Sequence, residues 1–267
     1  MDIIQRNFFR LILSGSMGEY EPVEPMSPFK WNRLMQIAKI QGVVGLTLKG
    51  IKALQYEKTL NIPQELVDKA TEEASEDVQE ENVSKLANPV FKRRLEKIRK
   101  GERHAIDCSV ETLELLDIIV ANVYHMLNSG VSLKLILKLG AYLRTKGDKV
   151  DFVKLDNWLT TLHIRRMAQL EGSILIDIFN FEPDELPFVD QVEKGAKGLV
   201  MRSLLHNEQD EAKSAHLKQN APGFITNNTA VVSRNIRRSM RYIDYAPIET
   251  ASTFFSNIAK SFSEIEE

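Results

Sequence analysis

The chain has 267 residues, 43% hydrophobic and 27% charged, which is enough to bury a substantial core and ordinary for a folded globular protein. A formal net charge of -2 excludes a surface built wholly for nucleic acid, though not a local basic patch. The single cysteine, Cys108, excludes an internal disulfide framework and any multi-cysteine zinc site, so a reducing, cytoplasmic setting is the expectation.

The first apolar run contains Arg10 and follows Asp2, a pattern that argues for a packed amphipathic helix over residues 3–13 rather than an export signal. Ser14 and Gly15 are expected to stop it. Pro22, Pro25 and Pro28 exclude helix interior from the next stretch, and Ser27 is placed to cap a second helix over residues 29–40. There Trp31, Leu34, Met35 and Ala38 repeat at helical spacing. Gly42, Gly45 and Gly50 then suit either a phosphate loop or close packing between helices. Neither GxGxxG nor the GxxxxGK[ST] pattern is present, which favours packing.

The sharpest shift in composition follows. Residues 68–82 carry seven acidic side chains and residues 92–103 seven basic ones, with Asn88 and Pro89 breaking the chain between them. Two oppositely charged helices lying antiparallel would neutralise each other. The functional alternative is a cationic grip on a phosphate-rich ligand by Lys92, Arg93, Arg94, Lys97, Arg99 and Lys100.

Residues 111–158 form the most apolar and most regularly periodic stretch and predict helix, turn, helix, turn, helix. Leu113, Leu116, Val120, Val123, Tyr124 and Leu127 share one face, widened by Leu115, Ile118, Ile119 and Met126, so the first arm belongs in the middle of a core. The second arm sets Leu133, Ile136, Leu137 and Gly140 against Lys134 and Lys138. Asp151 is a cap for a helix that turns Leu155, Trp158, Leu159 and Leu162 inward, and residues 164–180 place Met167, Leu170, Ile174, Leu175 and Ile178 in the core. A short helix is expected over 192–205, then a polar loop. Over residues 231–244, Arg234, Arg237, Arg238 and Arg241 fall at i, i+3, i+4 and i+7 of a helix, a face suited to phosphate, anionic lipid or RNA, or to acidic neighbours. Phe254, Phe255, Ile258 and Phe262 make a final stripe read as core or interface.

Chemistry is hard to find. The five histidines show neither HExxH nor pairing with cysteine, and His125 reads as a core or interface residue. His104 precedes Cys108 by four residues without an identifiable base, and Glu182 and Asp184 suit turn formation as well as acid/base work. No run approaches the roughly 20 apolar residues a membrane span needs.

Three stretches, residues 8–54, 121–164 and 233–255, resemble in the same order the opening helices, the helical region after the catalytic domain, and the arginine-rich C-terminal segment of a family of bacterial nucleotidyltransferases in the polymerase-beta-like superfamily. Active members of that family hold their metals with an Asp-x-Asp strand after a Gly-Ser turn, because alternate residues of one strand can grip two ions on one face. This sequence has no Asp-x-Asp, and its Gly-Ser pairs, Gly15-Ser16 and Gly172-Ser173, fall in helical patterns. By order, the catalytic subdomain is missing between residues 81 and 88, and no catalytic residue carries over.

The expectation is therefore an all-α, single helical-bundle domain over residues 1–267, with N-terminal helices in 1–87 and a C-terminal helical region in 88–267. The resemblance implies a non-catalytic binding or regulatory protein, in a surface-polysaccharide pathway, whose partner is a protein such as an active relative. It has no catalytic residue, metal ligand or cofactor of its own, and its anion-binding candidates are Lys92, Arg93, Arg94, Lys97, Arg234, Arg237, Arg238 and Arg241. The alternatives are a transferase using magnesium and a nucleotide at Asp148, Asp151, Glu182 or Asp184, and binding of RNA or anionic membrane through the arginine face.

Overall fold

The computed structural model describes residues 1–56, 60–75, 83–103, 109–204 and 240–263. Among them the regular elements are helices and no strand occurs, so the fold is all-α. The helices sort into two compact units, residues 1–81 with 201–212 and residues 82–200 with 213–267. The division falls a few residues before the 87/88 boundary expected from the sequence.

The first unit contains α1 (Ile3–Met17), α2 (Pro28–Ile40), α3 (Val44–Ala53) and α4 (Gln64–Ser75). Asp2 caps α1 through a reciprocal pair with Gln5. The helix passes through Ser14 and Gly15, where the sequence predicted a stop, and ends at Gly18, whose φ of 72° is the left-handed cap conformation. Gly15 is internal because α3 crosses there: a Cβ on Gly15 would overlap the Leu46 carbonyl, and one on Gly50 would overlap the Leu11 carbonyl. Gly50 is thus a packing glycine, while Gly42, at φ 62°, makes the turn into α3.

The proline-rich stretch has no ladder of its own, and two asparagines supply its hydrogen bonds. Buried Asn7 donates to the Glu24 carbonyl at 2.7 Å and accepts from the Glu24 amide at 2.9 Å. Asn61 accepts from the Met26 amide at 3.1 Å and the Trp31 indole at 3.0 Å, and donates to the Met26 carbonyl at 2.8 Å. Ser27 caps α2 as predicted. On α4, Glu73 pairs with Lys39 of α2 at 2.7 Å, while Glu65, Asp68 and Glu72 are exposed.

The second unit is organised around α6 (Val110–Asn128), which follows α5 (Pro89–Arg103). It packs against α5, α7 (Leu133–Lys146), α8 (Phe152–Thr161), α9 (Arg165–Phe179) and α10 (Pro247–Ser263). The predicted core face of α6 is buried at Leu115, Leu116, Ile118, Ile119, Val120, Val123, Met126 and Leu127, while Leu113 and Tyr124 are half-buried at its margins. Asp151 caps α8 at 2.9 Å from Lys154 N; Leu155, Leu159 and Leu162 are buried, and Trp158 is half-buried with the Lys154 ammonium over its ring. Residues 196–200 of this unit, and 201–204 of the first, are helical within the expected 192–205, and Leu205 lies outside the described residues.

Helix α10 turns a polar side inward and leaves its predicted apolar stripe at the surface or half-buried, with the Phe262 side chain outside the described residues. Phe255 is 67% exposed and Phe254 and Ile258 are half-buried, whereas Glu249, Thr250 and Thr253 face inward. Glu249 faces inward because its carboxylate accepts from backbone amides just before α5.

Candidate functional site

Asn88 and Pro89 start α5 rather than merely ending what precedes it. Asn88 Oδ1 accepts from Val90 N at 2.9 Å and Phe91 N at 3.2 Å, and Pro89 occupies the first helical position, where a missing N–H costs nothing. The amides of Ala87 and Asn88 point at the Glu249 carboxylate, the second at 3.1 Å, and Asn88 Nδ2 donates to Ser252 Oγ at 3.0 Å. Burial pushes the Glu249 pKa up, and the two amide bonds offset part of that rise. Glu249 is 2% exposed, so this carboxylate is a buried clasp between α10 and the start of α5.

The cations of α5 separate by helical phase. Phe91, Leu95 and Glu102 are buried on one side. Phe91 stacks on His163 with ring centroids 5.1 Å apart, and Glu102 accepts from Ser109 N at 2.7 Å and Lys154 Nζ at 2.6 Å. Arg94 donates to the Thr161 carbonyl at 2.7 Å, and Arg99 donates to Asp117 Oδ1 and to both oxygens of Ser84. These two arginines hold the helix in place, and the cationic grip expected to include them loses both.

Lys92, Arg93, Lys97 and Lys100 fall within one arc of about 140° on the opposite side at 100° per residue, accompanied by Glu96. All four cations are exposed, and none has an ion-pair partner among the described residues. The acidic and basic helices each find partners within their own unit, Glu73 with Lys39 and Arg99 with Asp117.

Of the C-terminal arginines, Arg241 is exposed in the turn 241–245, while Arg234, Arg237 and Arg238 lie outside the described residues, as do His104 and Cys108. Glu182 and Asp184 are exposed at the 3-10 turn Pro183–Glu185, where Glu185 accepts from Glu182 N at 2.8 Å and pairs with Arg144 at 2.9 Å. Asp148 is exposed in another 3-10 turn, Gly147–Lys149, and Asp151 caps α8, so the carboxylates proposed for a transferase serve turns and caps. His125 is half-buried, edge-on to the Tyr124 ring, and its Nε2 has no hydrogen-bond partner among the described residues.

A pocket of about 410 Å³ opens along the outer face of α6, lined by Ser84, Glu114, Asp117, Ile118, Ala121, Lys138 and Tyr142. Sequence reasoning missed it, although Glu114, Asp117, Ile118 and Ala121 recur at i, i+3, i+4 and i+7 as a partly polar stripe on an otherwise apolar helix. Lys146 and the Tyr142 hydroxyl both reach Glu114 Oε2, at 2.7 and 2.9 Å, and hold its pKa below the ordinary carboxylate value. Burial and that carboxylate push the Tyr142 phenol up, so it stays a donor.

Glu171 of α9 is fully buried, with no hydrogen bond to either carboxyl oxygen among the described residues. Burial raises its pKa well above the usual range; the Asn122 amide, near but outside hydrogen-bond geometry, offsets only part of that.

No family model matches the chain, and neither a curated protein nor a solved structure does.

Proposed function

We propose that this chain is a non-catalytic helical binding protein that meets an acidic surface of another protein with the outward face of α5. The observation that carries the reading is the partition of the α5 cations. Arg94 and Arg99 are engaged inside the unit, while Lys92, Arg93, Lys97 and Lys100 face solvent on a helix clasped at its start by Glu249. Cations displayed on an anchored helix lose less freedom when a partner arrives than cations on a loop, and they steer the encounter electrostatically.

The resemblance of residues 8–54, 121–164 and 233–255 to the helical framework of nucleotidyltransferases, in a chain without Asp-x-Asp, supports a role without transfer chemistry. An active relative is then a natural partner, and the surface-polysaccharide setting implied by that resemblance is part of the same proposal.

The test is lysine-directed cross-linking and mass spectrometry in extract of the source cells, with the native chain and a Lys92→Glu/Arg93→Glu/Lys97→Glu/Lys100→Glu variant. Cross-links from Lys92, Lys97 and Lys100 to one acidic protein are expected and are lost at high salt; because the variant itself lacks those lysines, its readout is the amount of that protein cross-linked through its other lysines, which should fall. A companion thermal-shift titration with nucleoside triphosphates and magnesium tests the absence of transfer chemistry. A ligand at about a hundred times its Kd adds about 2.7 kcal/mol of stability. A magnesium-dependent shift of the corresponding size would overturn the reading, as would cross-links unchanged by the charge reversals.

A further inference from the structure

The pocket on α6 combines three properties that together define a ligand. Its volume of about 410 Å³ lies within the range that takes small organic molecules, well beyond the size of an inorganic ion. Ile118 and Ala121 contribute apolar surface. Its charges do not cancel: Asp117 is held by Arg99 and Glu114 by Lys146, whereas Lys138, exposed in the wall formed by α7, has no ion-pair partner among the described residues. A further cation, Lys85, follows Ser84 and rests its ammonium 4.9 Å from the centre of the Tyr124 ring, one turn beyond Ala121. Both lining carboxylates already have cationic partners, so the charge left unmatched in the pocket is positive.

From this we infer that the pocket binds a small organic monocarboxylate with an apolar or aromatic body, its carboxylate on Lys138 and its body against Ile118 and Ala121. Lys85 rests on the Tyr124 ring and is not among the lining residues, so the lining offers a single unpaired ammonium, which matches a monoanion. A phosphate dianion would bring a second negative charge beside Glu114 and Asp117 with no further cation among the lining residues to meet it, and like charges at close range are unfavourable. Ser84 and Tyr142 direct their protons to Asp117 and Glu114, so towards a ligand their hydroxyl oxygens act only as acceptors. This site is separate from the outward arc of α5, and the inference stands or falls independently of the function proposed above.

The experiment is calorimetric titration of the full chain with phenylacetate, indole-3-acetate, uncharged phenylacetamide and inorganic phosphate. At least one of the two carboxylates is expected to bind with a Kd of about 1 mM or tighter, about ten-fold more tightly than the amide. Lys138→Met should weaken the carboxylate by about ten-fold without changing the melting temperature, because Lys138 is exposed. Ala121→Trp, which fills the floor, should abolish binding, and Val153→Trp, at an exposed position on α8, should leave it intact. Absence of binding by both carboxylates at about 10 mM would overturn the inference, as would equal binding of the amide or an unchanged affinity in Lys138→Met. Tighter binding of inorganic phosphate than of either carboxylate would overturn the ligand class.

Discussion

Gly15 of α1 lies so close to Gly50 of α3 that a Cβ on Gly15 would sit 2.8 Å from the Gly50 nitrogen. The approach is reciprocal, since a Cβ on Gly50 would run into the Leu11 backbone. Backbone cannot move aside as a flexible side-chain end can, so the two helices would have to separate. Gly50→Ala should cost about 3 kcal/mol, at the upper end of overpacking penalties, although alanine is the better helix former by about 1 kcal/mol. Urea denaturation checks this; a variant as stable as the parent would mean that the helices do not cross at these glycines.

Glu171 provides a pH signature with a definite sign. Its folded pKa lies well above the ordinary value of 4.5 because burial opposes ionisation. The folded state therefore holds this proton where the unfolded chain has released it. The resulting stability is present in full below pH 4.5 and is lost as pH rises towards the folded pKa, at up to about 1.4 kcal/mol per pH unit. Glu171→Gln keeps the shape and removes the titration. Denaturation at about pH 5 and about pH 8 should find the variant gaining on the parent at the higher value. Parallel pH dependences would show that Glu171 does not titrate in this way.

The Glu249 clasp ties two distant parts of the sequence. Removing its carboxylate leaves the Ala87 and Asn88 amides without their acceptor in a largely buried place, and each such loss costs about 1–3 kcal/mol. Glu249→Ala should therefore destabilise by about 2 kcal/mol or more and accelerate hydrogen exchange over residues 247–259 ahead of global unfolding. Unchanged exchange in that segment would show that α10 is held by something else.

The parts of this fold legible in the sequence are those governed by local periodicity and capping. The hub α6, the Ser27 and Asp151 caps and the core of α9 follow from spacing alone. What escaped depends on partners far along the chain. Nothing local marks Asn7 and Asn61 as the residues that bond the proline-rich stretch across 17 and 35 positions. The inward polar side of α10 was not legible because the amides that Glu249 accepts from lie more than 160 residues away. In the candidate site, Arg94 and Lys97 look alike as members of a basic run. Their helical phase relative to Phe91 and Leu95 separates them, and that signal was present in the sequence.

That phase yields a prediction for two faces of one helix. Arg99 makes bonds to Asp117 and Ser84 that join α5, α6 and the segment before α5. Asp117 is 38% exposed at its side chain, so solvent screens part of the pairing, and Arg99→Ala should cost about 1–2 kcal/mol. Lys97, two residues earlier, faces solvent with no ion-pair partner among the described residues, and Lys97→Ala should stay within about 0.5 kcal/mol of the parent. Side-by-side denaturation of the two variants distinguishes a cation that supports the fold from one available to a partner. Equal destabilisation would remove the outward arc of α5 as a free surface, because Lys97 would then have to be bonded within the chain.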